Sequence, residues 1–577
     1  MNSSYDYIVV GAGSAGCILA NRLTECGKYS VLILESGGSD NSFWFKIPVG
    51  FAKTFYKRSC NWMFYSEPEK ELGDRRVYCP IGKVQGGSGS INAMIYVRGL
   101  DQDFDDWASE GNEGWSAKEV LPFFKKLEAH PSGDTEFHSS RGFMGITRMK
   151  DKVHAICHTF LEACRELGLP ISDDFNGEMP LGGGIYDINV RNGKRDSSSF
   201  AYLHPAKKRS NLKVILKAHI DKILFENKRA VGVTWTRKGK RYSCRANREV
   251  ILSCGAIHTP KLLQLSGIGD SVLLKKHLIP LIHDLPAVGK NLQDHLCVSF
   301  YYRASVKTLN DIFGSIRGQF KSGLQYLYNK KGPLVLSVNQ AGGFFKLPDG
   351  KGNLSSTADI QIYFNPLSYE LSKKGPAPIK PNPYSGFLVA FSSCRPTSRG
   401  TVEISSGKPE AHPLIRPNYL TTSKDIDEAI SGCKFIRNLM ETEALKKITL
   451  EEVLPGVAVS KYSKDDQQVT AYDEGLLKYF KDNAGSIYHL CGSCRMGSDP
   501  RTAVVDKRLR VHGIEGLRIV DASIFPNITS GNINAPTMMV AEKGAELILQ
   551  DAFFRSNSIS RSSLNGLDFY EGSSGAE

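Results

Sequence analysis

Two short stretches carry residue types at spacings that bind or transform small molecules. Gly11 to Gly16 reads GAGSAG. In a G-x-G-x-x-G pattern the first glycine, Gly11, permits a tight turn, Gly13 lets the backbone approach a pyrophosphate, and Gly16 lets a helix pack closely on a strand. Ser14 and Ala15 lie where a helix N-terminus offers unpaired N–H groups to an anion. Glu35, about 20 residues further on, is positioned to accept hydrogen bonds from ribose hydroxyls and would repel an added phosphate, which favours FAD or NAD over NADP. These residues alone do not separate flavin from nicotinamide. The second stretch, Tyr488 to Gly497, reads YHLCGSCRMG and puts His489 beside the C-x-x-C of Cys491 and Cys494. That pair suggests a redox dithiol or part of a metal site. Zinc sites, however, need four ligands at recognisable spacing, and the sequence has no second C-x-x-C, so no metal and two free thiols are expected.

The elements that must position these residues are legible nearby. Tyr7 to Val10 is a short β-branched run before the glycines, a helical pattern follows through Leu19 and Leu23, and Val31 to Leu34 is a second apolar strand closed by Glu35. This strand, turn, helix, strand order is of dinucleotide-binding type. Leu517 to Val520 reads as another strand, putting Asp521 and Ala522 at a C-terminal strand edge, where ligands gather in open sheets. Val214 to Leu216 is a further strand, followed by Ala218 to Ile220. Pro536 suits a first helical turn, with Asn534 just before it as a cap or a ligand contact; the helix runs to about Leu549 with its positive end toward any bound cofactor. Gly86, Gly87 and Gly89, with the candidate contact Ser88 among them, let a loop lie flat on a bulky group, and Asn92, followed by Ala93, offers donor and acceptor to a ring edge.

The composition bounds the class. The chain has 577 residues, 41% hydrophobic and 23% charged, enough for more than one folded unit and for an ample core. A formal net charge of +13 favours anionic ligands, phosphates or an acidic membrane surface. The basic clusters, such as Lys207 to Arg209, are dispersed and lack interleaved aromatics, so no nucleic-acid partner is expected. Thirteen cysteines scattered over this length read as reduced thiols. No apolar run of about 18 residues is present and the N-terminus lacks a secretion signal, so a cytoplasmic enzyme is expected, with peripheral membrane contact open.

Further segments carry a resemblance. Gly82 to Gly99 reads GKVQGGSGSINAMIYVRG, Gly255 to Gly269 reads GAIHTPKLLQLSGIG, and Val288 to His295 reads VGKNLQDH. With YHLCGSCRMG, the VDAS at Val520 to Ser523 and NINAPTMMVAEK from Asn532, the chain resembles the glucose-methanol-choline oxidoreductases, most closely their choline dehydrogenase and alcohol dehydrogenase branch. The resemblance spans residues 5 to about 550. It implies an α/β fold: an interrupted Rossmann-like FAD-binding domain with a second, α+β substrate domain built on an antiparallel sheet. The expected boundaries are 1–305 mainly for FAD, with substrate-side segments near 155–205, then 306–483 for substrate and 484–552 as the return to the FAD domain. Residues 555–577, rich in serine and glycine, read as a disordered tail. The resemblance further implies that Ile220 adjoins the adenine and Asp521 the ribityl chain, that His489 is the base and that Asn532 orients the substrate oxygen. Together they would oxidise a primary alcohol, choline-like, aliphatic or aromatic, to the aldehyde. Proton abstraction suits a histidine that is neutral near pH 7, and hydride passes to flavin N5. The electrons then go to oxygen, a quinone or a carrier.

Several positions depart from the family pattern. Ile81, Gln85 and Gly89 stand where arginine, leucine and serine are usual, which questions the local loop geometry. Ile91 stands where some relatives carry a histidine joined covalently to FAD, so a noncovalent cofactor is expected. Gln340, before AGGFF, replaces an acidic residue and weakens the case for a cationic substrate. His489 argues against a photodecarboxylase. A hydroxynitrile-lyase type of activity and a catalytically silent flavin-binding protein stay as alternatives.

Overall fold

The structure, a computed structural model, describes residues 4–348, 353–370, 379–456, 459 and 466–564. Two seven-stranded sheets organise it. In the first, Ser4–Val10 lies between Val31–Glu35 and Lys240–Leu252, parallel to both, and Leu212–Leu216 adds a parallel strand beyond Val31–Glu35. Such strands are covered on both faces, which is why Ile8 to Val10 and Val31 to Leu34 are apolar without alternation and buried. Lys240–Leu252 changes partner along its length. Its first half pairs antiparallel with Arg229–Arg237, and Val250–Leu252 pairs in parallel with Ile8–Val10 on one side and Leu517–Ile519 on the other.

This register sets the C-terminal ends side by side. Val10 faces both Leu34 and Leu252, so Gly11, Glu35 and Ser253 leave the sheet along one edge, joined there by Asp521. The helix Ser14–Glu25 packs on the long helix Asn534–Leu564. Arg22 holds that pair together through Glu542, at 2.8 Å from Nε, and the Tyr202 hydroxyl donates to the same carboxylate at 2.9 Å. The terminal helix starts at Asn534, with Pro536 as its third residue, and continues to Leu564. It therefore extends past Leu549 and into the segment from 555 that the sequence reading left without structure; residues 565–577 lie outside the described ones.

The second sheet is antiparallel, in the order Thr449–Leu454, Leu296–Ala304, Gly386–Ser393, Ile360–Asn365, Ala341–Phe345 and Gly182–Ile185, with Gly485–Ser486 also on Leu296–Ala304. Leu296–Ala304, which the sequence reading put before a boundary at 305, pairs here in the second sheet. Alternation along this strand shows how the two faces divide. Val298, Phe300 and Tyr302 point into the core with Phe391, Cys433, Ile436 and Leu476 of the strands and helices behind the sheet. Cys297, Ser299 and Tyr301 face the other way, into a large cavity.

Candidate active site

That cavity, of about 1330 Å³, runs between the two sheets from the edge of the first to the inner face of the second. At one end the glycines divide by role. A Cβ on Gly11 would lie 2.4 Å from the Ser253 carbonyl oxygen and one on Gly16 would lie 1.9 Å from that of Gly11, so both are closed by backbone. A Cβ on Gly13 would meet nothing nearer than the Ser253 oxygen at 3.9 Å, so its open side faces the cavity. Glu35 reaches this end with both oxygens fixed: Ala12 N–H donates to Oε2 at 2.9 Å and Gly37 N–H to Oε1 at 2.7 Å. Burial pushes its carboxyl up to about 7 against the pull of those amides. Asp521 accepts from Gly255 N–H at 2.9 Å and the Thr259 hydroxyl at 2.7 Å, at the start of the helix Gly255–Leu265.

Midway, the glycine loop lies against the first turn. A Cβ on Gly87 would lie 2.7 Å from Gly13 Cα. Ser14 Oγ donates to Asn534 Oδ1 at 2.8 Å, and a Cβ on Gly89 would sit 2.9 Å from that hydroxyl oxygen, which is why a serine does not suit position 89 here. Gln85, fully buried, is satisfied by polar partners: its amide donates to Asp40 at 3.1 Å and Ser199 at 2.6 Å while Lys207 donates to its oxygen at 2.5 Å. Asn92 gives its side-chain oxygen to Arg195 Nη1 at 2.7 Å, and Arg195 Nη2 donates to the Asn92 carbonyl at 2.7 Å. Arg195 is buried and forms no ion pair among the described residues; desolvation pulls its guanidinium down to about 9.

The far end holds His489 and Asn532 together. Asn532 Nδ2 lies 3.2 Å from His489 Nε2, and Asn532 Oδ1 accepts from Gln361 Nε2 at 3.4 Å, which fixes the amide orientation. On the other side of the ring, His489 Nδ1 is 2.9 Å from His295 Nδ1, and His295 Nε2 is 3.0 Å from the Cys394 carbonyl oxygen. A carbonyl only accepts, so His295 carries its proton on Nε2 and its Nδ1 is a lone pair. His489 must then carry its proton on Nδ1, leaving a lone pair on Nε2, the nitrogen beside Asn532. Burial, followed by the neighbouring His295, holds His489 well below the usual imidazole range, and burial lowers His295 to about 4, so both rings are neutral at pH 7. The backbone is also set: His489 N–H donates to Asp294 Oδ1 at 2.8 Å, the same carboxylate accepts from Ser486 at 2.5 Å and Tyr419 at 2.6 Å, and Tyr488 adopts φ +72° to turn the ring inward.

Family models described as GMC oxidoreductase match residues 5–297 and 396–541. The chain belongs to the GMC oxidoreductase family. It is 38% identical over 550 residues to an alcohol dehydrogenase [acceptor] of Pseudomonas putida, covering 95% of this chain and 96% of that one. An oxygen-dependent choline dehydrogenase of Vibrio vulnificus is 40% identical, covering 95% of each. Among solved structures, a pyridoxine 4-oxidase from Mesorbium loti superposes with a TM-score of 0.82 at 28% identity, over 94% of this chain and 98% of that one. The chain is thus an oxidoreductase acting on CH–OH groups. The family's cofactor, FAD, fits the cavity: an open glycine face, two anchored carboxylates at one end and a neutral imidazole at the other.

Of the residues named from the sequence, Gly11, Gly13, Ser14, Ala15, Glu35, Gly87, Ser88, Asn92, Ala93, Ile220, His489, Asp521, Ala522, Asn532 and Asn534 line this one cavity. Gly16, Gly86 and Pro536 do not. Gly86 is a packing position at φ +88°, where a Cβ would lie 2.1 Å from Ser90 Oγ, and Pro536 lies within the terminal helix. Gln340 also stands outside: its oxygen accepts from His154 N–H at 2.7 Å, so its neutrality says nothing about substrate charge. Ile91 lines the cavity and offers no atom for a covalent link. Cys491 and Cys494 are buried and unbridged, with burial holding both thiols well above the usual range. Sequence reasoning passed over His295, Asp294 and Arg195. The first two stood in the quoted VGKNLQDH, but no spacing rule linked that segment to His489.

Proposed function

We propose that this chain is a cytoplasmic enzyme, peripheral at a membrane, that oxidises a primary alcohol to its aldehyde with noncovalent FAD as the hydride acceptor. Gly13, Ser14, Gly87 and Ser88 would hold the pyrophosphate side, Glu35 the ribose, Ile220 the adenine, and Asn92, Ala93, Asp521, Ala522 and Asn534 the remainder. The observation that carries the reading is the lone pair of His489 Nε2, directed at Asn532 inside the cavity by the hydrogen-bond order from Cys394 through His295.

A substrate hydroxyl entering between the two side chains takes over both bonds. It donates to His489 Nε2 and accepts from Asn532 Nδ2, which holds the oxygen while its proton leaves. Once His489 is protonated, its Nδ1–H still points to the lone pair of His295, so the new charge keeps an acceptor at a buried ring. The amide of Asn532, oriented by Gln361, stabilises the negative charge that develops on oxygen. Phe55, Tyr56, Tyr78, Tyr301, Tyr363 and Tyr488 face the cavity and suit a substrate with an apolar or aromatic body. The relatives are named for alcohol, choline and pyridoxine.

The test is to mix the FAD-loaded protein anaerobically with a panel of primary alcohols and follow the flavin absorbance. Bleaching by a subset of alcohols supports the reading, and His489→Ala should slow it by roughly 10²- to 10⁴-fold, the usual worth of a general base. Turnover without bleaching would mean a lyase, and no response to any alcohol a silent flavoprotein. Readmitting oxygen, a soluble quinone or a dye then identifies the acceptor.

A further inference from the structure

The connection between Leu296–Ala304 and Ala341–Phe345 contains a helix, Ile316–Asn329, whose outer face is apolar and uncovered. Ile316 is 86% exposed, Phe320 67%, Leu324 52%, Leu327 63% and Tyr328 91%. At about 100° per residue these five project within an arc of about 120°. Ser322 and Tyr326 occupy the opposite side and are buried, Tyr326 with Ile47 and Val335. The stripe therefore has no role in the fold's own core. Exposed cations adjoin it. Arg317 projects just inside one edge of the arc and Lys321 just beyond it, and Lys331 follows the helix, while Asp and Glu are absent from residue 312 to residue 348. Next to the inner face runs a second segment of the same kind. Phe43 is 51% exposed and Trp44 40%, Lys53, Lys57 and Arg58 are exposed, and no acidic residue occurs from 41 to 66.

We propose that this face docks on the surface of an anionic phospholipid bilayer, with the apolar stripe in the headgroup boundary and the flanking cations on lipid phosphates. An amphipathic helix with cations beside a Phe, Leu and Tyr stripe has the composition of an interfacial element, and each cation near an anionic surface adds to the attraction. The charge pattern selects lipid over a second copy of the chain. A two-fold contact would set Arg317 and Lys321 against their own counterparts with no carboxylate on these segments to separate them. Among the described residues no helix is long and apolar enough to cross a membrane, so the contact is peripheral. The segment joins Tyr301 and Val338, both in the cavity wall, and Phe51 of that wall packs on the same small core of Leu309, Val338 and Leu367 as Ile312 and Phe313. Docking thus takes place on the substrate side. The proposal rests on the reading of a peripheral enzyme and names the surface.

The test is sedimentation of the full-length, FAD-loaded protein with vesicles of phosphatidylcholine alone or with about one-third phosphatidylglycerol, at low and high salt. Binding to the anionic vesicles, weakened by salt and by neutral lipid, is expected. Phe320→Glu with Leu324→Glu, and separately Arg317→Gln with Lys321→Gln, should each lower the bound fraction about tenfold or more while alcohol-dependent flavin bleaching in solution stays unchanged. No binding of the wild type to either vesicle, or equal binding by both variants, overturns the proposal. So does a wild-type dimer that the Phe320→Glu, Leu324→Glu variant splits, which would assign the face to a second copy. Vesicle binding without bleaching by any alcohol would sink the activity reading and leave this surface standing.

Discussion

His295 offers the sharpest test of the proton order inferred around His489. In His295→Leu the Nδ1–H of His489 loses its acceptor at 2.9 Å inside a buried site. An unsatisfied buried donor costs about 1–3 kcal/mol. That cost falls on the Nδ1–H tautomer and shifts the ring toward the Nε2–H tautomer, which lacks the lone pair proposed to receive the substrate proton. At 1.4 kcal/mol per factor of ten, the limiting rate of flavin bleaching should fall roughly 10- to 100-fold. His295→Gln can still accept from His489 with its oxygen and donate to the Cys394 carbonyl with its amide, so it should recover most of the rate. Anaerobic stopped-flow mixing at varied alcohol concentration separates the limiting rate from apparent substrate affinity, and the flavin spectrum reports cofactor content. Because burial and then His295 lower the His489 pKa, the acid limb of the wild-type profile belongs below pH 6.5 and should move upward in His295→Leu. A His295→Leu protein with full FAD content and an unchanged limiting rate would refute the proton order, as would a fully loaded His295→Gln as slow as the leucine variant.

The glycine contacts predict two different failures: Gly13→Val should fold and stay colourless because its side chain fills only the open face, whereas Gly16→Ala should lose the fold itself, its Cβ being 1.9 Å from the Gly11 oxygen; circular dichroism and the FAD to protein ratio tell them apart. Arg195→Met removes three hydrogen bonds to the Gly89 and Asn92 loop, and since bonds to a charged donor are worth about 1.5–3 kcal/mol it should weaken FAD retention on gel filtration by tenfold or more. His138 is lowered by burial but raised further by Asp174 at 2.7 Å and Glu128 at 2.8 Å, to about 9. A folded value above the unfolded one means that this stability is fully present below pH 6.5 and is lost as pH rises through 9. Thermal unfolding between these limits should reveal a loss of about 1–2 kcal/mol, screening allowed for, that His138→Gln abolishes.

What the sequence disclosed follows from how local each signal is. The first strand, glycine turn and helix were readable because strand period, turn chemistry and helix packing all act within 35 residues, and the structure adds that Gly11 and Gly16 are closed by backbone while Gly13 alone is open. The catalytic roles expected of His489 and Asn532 rest on resemblance, since their 3.2 Å approach joins two loops that no periodicity connects. His295 was out of reach for a deeper reason. A histidine in VGKNLQDH looks like any buried polar residue until a long-range contact gives it a neighbour, and only the carbonyl of Cys394, on a third segment, decides which nitrogen carries the proton. The strand Leu296–Ala304 shows the same limit at the level of domains. Its alternation marks a sheet with one covered face, but alternation does not name the sheet, and pairing with Gly386–Ser393 on one side and Thr449–Leu454 on the other assigns it to the second. Gln340 and Gln85 carry the converse lesson. Gln85 departs in the glycine loop and Gln340 at a position tied to substrate charge, yet both are buried amides bonded to protein partners, so a family pattern reports on function only where the side chain meets the cavity.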